Sequence, residues 1–170
     1  MWRLVLVKGA SKTTIIVFHL ILYQPEIPPN TGNVMRLCAN VGATLHLIHP
    51  LGFQMDAAKL RRAGLDYRDL ADVSEHQSLE ACLKAIGRTR VFALTTRAEH
   101  GFFAAHFKKG DSFLLGPETR GLPESILARL PAEAKLRIPL KAGNRSLNLS
   151  NVAAICLYEA ARQTGFADMS

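Results

Sequence analysis

"FHLILYQPEIPPNTGNVMRLCANVGATLHLIH", residues 18–49, holds two short apolar runs separated by a stretch with a different period. "FHLILY" (18–23) and "TLHLIH" (44–49) are too short for helices and rich in Leu and Ile, so each reads as a strand. Between them, "TGNVMRLCANVG" places Val34, Leu37, Cys38 and Val41 on one face at helical spacing, and Gly42 ends the helix. The same alternation continues outward. "RVFALTT" (90–96), "SFLLG" (112–116) and "LRIPL" (136–140) read as further strands. "SLEACLKAIG" (78–87) is a second amphipathic helix, with Leu79, Cys82, Leu83 and Ile86 inward and Gly87 as terminator. The last helix starts at Ser150 or Asn151, both good N-cap types, and runs to Gln163 ahead of Gly165. Strands alternating with helices indicate an α/β protein with a mainly parallel sheet flanked by helices. No internal repeat, low-complexity tract or linker interrupts the pattern, which indicates one domain over 17–170.

Composition narrows the class. The 170 residues are 48% hydrophobic and 21% charged, an ordinary globular balance. Lys and Arg outnumber Asp and Glu by 21 to 14, a formal charge of +7, which favours a polyanionic partner such as nucleic acid. The three cysteines, Cys38, Cys82 and Cys156, lie far apart and form no CxxC pair, so they read as buried thiols in a reducing compartment. The longest apolar stretch, "IIVFHLILY", falls far short of a membrane span, and the expectation is a cytoplasmic protein without a membrane segment. "MWRLVLVKGASKTTII" (1–16) reads as a dispensable extension ahead of the patterned chain, of the kind a misplaced start produces.

Several chemistries are excluded. No two glycines stand two apart, so there is no dinucleotide-binding GxGxxG turn. "GPETRG" has the glycine spacing of a P-loop, but Leu122 follows where the phosphate-binding lysine must sit. There is no HExxH, no GxSxG elbow and no Cys/His cluster with metal spacing, so no metal is expected. His46, His49, His100 and His106 read as structural. What remains is a set of unusual loops at strand C-termini: "PEIPPNTGN", "TTRAEHG", "LLGPETRGLP" and "IPLKAGNRSLNLSN". Open α/β sheets bind ligands at that edge. In "RSLNLSN" (145–151), Ser146, Asn148, Ser150 and Asn151 interleave with Leu147 and Leu149, as though hydrogen-bonding groups were fixed at the mouth of a core.

"YQPEIPPNTGNVMRLCANVGATLHLI", "LLGPETRGLP" and "IPLKAGNRSLNLSNVAAICLYEAARQTGF" together resemble the three signature motifs of the SPOUT methyltransferases, in particular the small tRNA 2'-O-methyltransferases. The resemblance runs from residue 17 to about 166. It implies an α/β sheet whose C-terminal part is threaded into a deep trefoil knot, S-adenosylmethionine held largely by main chain in the knot loops, and a homodimeric working unit. The implied activity is 2'-O-methylation of the wobble nucleotide, cytidine or modified uridine, in the anticodon of leucine tRNAs. An rRNA or other tRNA target, or a catalytically silent RNA-binding module, are the rival readings.

The resemblance also assigns residues. Leu94, Gly116, Ile138, Pro139, Ser146 and Leu147 would meet the cofactor, with Gly116 allowing close backbone approach. Asn30, Arg36, Glu118, Ser146 and Asn148 would form the catalytic group. A guanidinium has a pKa above about 12, so Arg36 would grip the adjacent phosphate and lower the hydroxyl's pKa electrostatically. Leu147 and Leu149 would plug the loop into the core and the pocket, with Ser150 or Asn151 capping the last helix. Arg61, Arg62, Arg120 and Arg145 are candidate RNA contacts, and Tyr158 a candidate dimer-interface residue.

Overall fold

In the computed structural model, which describes residues 18–54, 73–166 and 169, the first strand forms over His19–Tyr23 (β1) and the second over Thr44–Ile48 (β2). The proposed extension at 1–16 and the basic pair Arg61 and Arg62 lie outside the described residues. Along β1 the side chains alternate. Leu20 and Leu22 enter one core and Ile21 enters another, so the strand is buried on both faces. That is the burial expected of a parallel sheet covered by helices on each side.

Helix α1 spans Pro28–Val41, three residues earlier than its apolar period announces. Pro28 and Pro29 account for the difference. A proline has no N–H to satisfy and a backbone already set for the first helical turn. Val34, Met35, Cys38 and Val41 are its buried apolar residues, and Leu37 is only partly buried. Gly42 ends the helix at φ 73 with its N–H on the Cys38 carbonyl, a left-handed position that glycine takes without a steric penalty. Beyond β2 come an edge strand Val73–His76 (β3) and helix Leu79–Ile86 (α2), whose Ser78 Oγ accepts the Ala81 N–H at 3.1 Å. Sequence periodicity missed β3, because "VSEH" has a single apolar residue.

The rest of the sheet is Val91–Leu94 (β4), the two-residue His100–Gly101 (β5), Ser112–Leu115 (β6) and Lys135–Arg137 (β7). A short helix, Glu124–Leu127 (α3), precedes β7, and the chain closes on Leu149–Gln163 (α4). The strand order is β3-β2-β1-β6-β4-β7-β5 with every pair parallel. The expected α/β sheet is therefore present, with seven strands among the described residues. α1 and α4 cover one face, packing Met35, Cys38, Cys156 and Leu157 against Leu20, Leu45 and Phe113. α2 and α3 cover the other, where Leu79, Cys82 and Leu127 meet Ile21, Ile48 and Leu114. All three cysteines are buried, and none is in a disulfide.

Chain order reverses at β1. Successive strands first step outward to β2 and β3, and the later ones add on the opposite side. In parallel sheets this switch point opens a crevice at the strand C-termini, because the loops on its two sides leave in opposite directions.

Candidate functional site

The crevice is present at that edge. A cleft of about 470 Å³ opens between the loops that follow β4, β6 and β7, with the start of α1 as its fourth wall. Leu94, Thr95, Gly116, Leu136, Ile138, Leu140 and Leu147 supply most of its apolar surface. Asn30, Glu118, Arg97, Arg120, Ser146 and Asn148 supply side-chain polarity.

A single hydrogen-bonded chain orders the polar wall. Glu118 is held between β6 and α3. One carboxylate oxygen accepts the Glu26 N–H at 2.8 Å; the other accepts the Ile27 N–H at 3.2 Å and the Asn30 amide at 3.1 Å. The first turn of α1 has no side-chain cap of its own, so Glu118, which is 91 residues away from Ile27 in sequence, neutralises that helix entrance. Asn30, only 6% exposed, then accepts through Oδ1 from the Asn148 amide at 2.9 Å. Asn148 Oδ1 accepts in turn from the Ser150 N–H at 2.9 Å and the Ser150 hydroxyl at 2.7 Å.

Both ends of this chain fix its direction. A carboxylate can only accept and a backbone N–H can only donate, so the amides of Asn30 and Asn148 each have one satisfactory orientation. The structure corrects the helix-cap assignment: Asn148 is the N-cap of α4, and Ser150 is inside the first turn. Asn148 thus serves the helix and the cleft with one side chain. It could be recognised from sequence as a cap type, but its partner Asn30 is 118 residues away.

A second clasp lies beside the first and was not anticipated. Glu26 Oε2 accepts the Thr119 N–H at 3.0 Å and its hydroxyl at 2.7 Å, while Glu118 holds the Glu26 N–H. The two loops therefore exchange carboxylates. The Thr119 hydroxyl, with its N–H and the nearby Arg120 guanidinium, holds the Glu26 carboxyl below the ordinary carboxylate range. Arg120 also donates to Gln24 Oε1 at 2.8 Å, so it is engaged within the chain as well as bordering the cleft.

Of the expected site residues, Asn30, Leu94, Gly116, Glu118, Arg120, Ile138, Ser146, Leu147 and Asn148 line the cleft together. Leu147 is 38% exposed there, whereas Leu149, which also borders the cleft, is buried in the core at 8%. Arg36 is exposed on α1 and Arg145 and Pro139 are exposed on the loop after β7; none of the three is in the cleft wall. Tyr158 is 45% exposed on α4. Gly116 also makes a close approach within the chain itself. A Cβ there would stand 2.4 Å from the Leu122 N and 2.5 Å from the Gly121 carbonyl carbon, so the loop beyond packs directly on its backbone.

The arrangement suits positioning more than proton transfer. Every oxygen of Glu118 is occupied by donors fixed in the fold, and the remaining polar side chains are amides, the hydroxyls of Thr95, Thr96, Thr119 and Ser146, and guanidinium groups. The volume and the mixture of apolar wall with a few convergent polar groups fit a nucleoside-sized ligand.

Comparison with known proteins agrees with this geometry. The SpoU rRNA Methylase family model matches residues 17–158. A protein of Methylovorus glucosotrophus named tRNA (cytidine(34)-2'-O)-methyltransferase is 53% identical over 151 residues, which cover 89% of this chain and 98% of that protein. A solved structure described as giving insight into the 2-OH methylation of C/U34 on tRNA superposes with a TM-score of 0.80 at 50% identity, covering 88% of this chain and 97% of that one. The fold is shared with the SpoU methyltransferase AviRb of Streptomyces viridochromogenes, solved in complex with AdoMet. There the TM-score is 0.71 at 23% identity, over 89% of this chain and 58% of that one.

Proposed function

The chain belongs to the SpoU rRNA Methylase family, and from that premise we propose that it transfers a methyl group to the ribose 2'-hydroxyl of nucleotide 34 of tRNA. The observation that carries this reading is the 53% identity, across 98% of its length, to a tRNA (cytidine(34)-2'-O)-methyltransferase. S-adenosylmethionine is the proposed donor. It supplies an electrophilic methyl group, and the cleft offers it a nucleoside-sized space lined by Leu94, Gly116, Ile138, Ser146 and Leu147. The proposal extends to a homodimer, to a C-terminal trefoil knot and to leucine tRNAs with cytidine or a modified uridine at the wobble position. The exposed apolar side chains Tyr158 and Phe166 support the first of these.

The chain's own residues then divide the work. Asn30, Glu118 and Asn148 hold the loops of the cleft in one register, so that a hydroxyl brought to the cleft mouth meets a fixed geometry. Orientation alone supplies much of such an acceleration. Ser146, exposed at that mouth, is placed to hydrogen-bond the incoming ribose. In this reading Arg36, exposed on α1 outside the cleft wall, grips an RNA phosphate bidentately and stabilises the developing alkoxide electrostatically. Arg120 and Arg145 add positive charge for the backbone. The formal charge of +7 supports a polyanionic substrate.

The deciding experiment is methylation of total tRNA with labelled S-adenosylmethionine, followed by nuclease digestion and mass mapping. A 2'-O-methyl group at position 34 of leucine tRNAs is the expected product. Transfer to another position discards the wobble assignment, and no transfer by folded, cofactor-binding protein discards the enzyme. Arg36→Ala is expected to lower kcat about a hundredfold while leaving S-adenosylmethionine affinity within twofold. Isothermal titration and single-turnover kinetics separate the two. Unchanged kcat would remove Arg36 from the mechanism.

A further inference from the structure

Three histidines cross the outer half of the sheet in one hydrogen-bonded row. His19 Nδ1 lies 3.0 Å from His46 Nε2, and His46 Nδ1 lies 3.0 Å from His76 Nε2, linking β1, β2 and β3. The face they occupy is the one covered by α2, which brings the Cys82 thiol against the end of the row. One donor atom from each of His46, His76 and Cys82 lies within 4.8 Å of the other two. None of the four residues lines the cleft.

We propose that His46, His76 and Cys82 form a structural binding site for a thiophilic divalent cation of the zinc class, with His19 as the outer hydrogen-bond partner of His46. Two imidazoles and a thiolate are a donor set that selects zinc-like ions over magnesium or calcium, which prefer oxygen. The two imidazoles need little adjustment, while the Cys82 sulfur, within 4.8 Å of both nitrogens, has to close to roughly 3.5 Å. Two nitrogens each about 2.0 Å from a tetrahedral ion stand roughly 3.3 Å apart, a few tenths beyond the spacing of His46 and His76.

The hydrogen-bond geometry also suits an ion. In one tautomer His46 Nε2–H donates to His19 Nδ1, leaving the His46 Nδ1 lone pair facing His76 and Cys82. That is the outer-shell arrangement that orients ligating histidines. Cys82 is a buried cysteine outside any disulfide. A dication binding there breaks the S–H bond, forms the metal–thiolate bond and releases that proton to solvent. His76 keeps one proton, moved from Nε2 to Nδ1. His76 is only half-buried, which leaves the fourth position on the solvent side for water. The site would clip β3, the edge strand of the sheet, to β2 and α2.

The test uses untagged protein stripped with EDTA and desalted, titrated with Co²⁺ and then with Zn²⁺. The expected result is one Co²⁺ per chain, with visible bands of tetrahedral cobalt and a near-ultraviolet thiolate-to-cobalt band, all removed by Zn²⁺. Cys82→Ala, shown to be folded by circular dichroism, should lose the thiolate band and bind Zn²⁺ at least tenfold more weakly. His76→Gln should weaken binding similarly. His49→Gln, which alters the neighbouring exposed pair with Glu75, should leave it unchanged. Added Zn²⁺ should raise the thermal midpoint of the wild type and not that of Cys82→Ala. A folded wild type giving no thiolate band, or a band that survives in Cys82→Ala, overturns the site and leaves a hydrogen-bonded histidine row alone.

Discussion

Gly116→Ala is expected to destabilise the protein by about 2–3 kcal/mol and to reduce methyl transfer about a thousandfold or more. The added Cβ would meet three backbone atoms of the loop beyond it, at 2.4 Å, 2.5 Å and 3.0 Å. Backbone cannot rotate away as a side-chain tip can, so residues 117–122 must move as a unit. That movement draws on both halves of the protein. Leu122, 2% exposed, belongs to the core beneath α2 and α3, and Glu118 holds the entrance of α1. For a chain of this size the stability loss corresponds to a fall in Tm of roughly 5–10 °C. Gly110→Ala is the control. Gly110 sits at φ +86 with open space around the added atom, so it carries only the conformational strain and should keep its activity. Thermal denaturation and the tRNA methylation assay on both variants decide the matter. A Gly116→Ala variant as active as Gly110→Ala would mean the loop accommodates the methyl group, contrary to these distances.

Removing the Glu118 carboxylate should produce the second largest effect. Glu118→Ala strands three donors: the N–H groups of Glu26 and Ile27 and the amide of Asn30. Because the site is half-buried, water replaces part of what is lost, and the expected cost is about 2–3 kcal/mol in urea unfolding. The kinetic loss should be larger in proportion. Without Glu118 the Asn30 amide is still oriented from the Asn148 side but loses its anchor to the loop after β6, and misplacement of about 1 Å at such a site costs about a hundredfold. Glu118→Gln separates shape from charge. Its amide keeps one accepting oxygen but turns an NH₂ group toward a fixed N–H donor, so turnover should fall between wild type and Glu118→Ala. A Glu118→Ala enzyme within threefold of wild-type kcat would show that the carboxylate braces the loops without ordering the catalytic amides.

How much of this was legible in the chain varies by element. The pattern "FHLILY" identified β1 because a strand buried on both faces needs an unbroken apolar run, and nothing distant is required to see that. Cys38 and Cys82 were legible as inward residues for the same reason, since helical periodicity reports which face is buried. β3 and β5 were not legible. "VSEH" and "HG" join the sheet only because parallel neighbours offer them partners in register, as in His46↔Ser74 and His100↔Leu136. The start of α4 was misplaced by two residues because four candidate cap types stand within "SLNLSN", and only the contact with Asn30 selects Asn148.

The sequence by itself determined the α/β class, the loops that form the cleft and, through three long motifs, the methyltransferase resemblance. These are properties of local period and of contiguous residues. The tertiary structure alone decided which residues act together: Glu118 with the start of α1, Asn148 with Asn30, Glu26 with Thr119, and His46 with His76 and Cys82. The physical reason is that hydrogen bonding acts over about 3 Å in space. Parallel strands are joined by long crossovers, so the partners at their ends are always far apart along the chain.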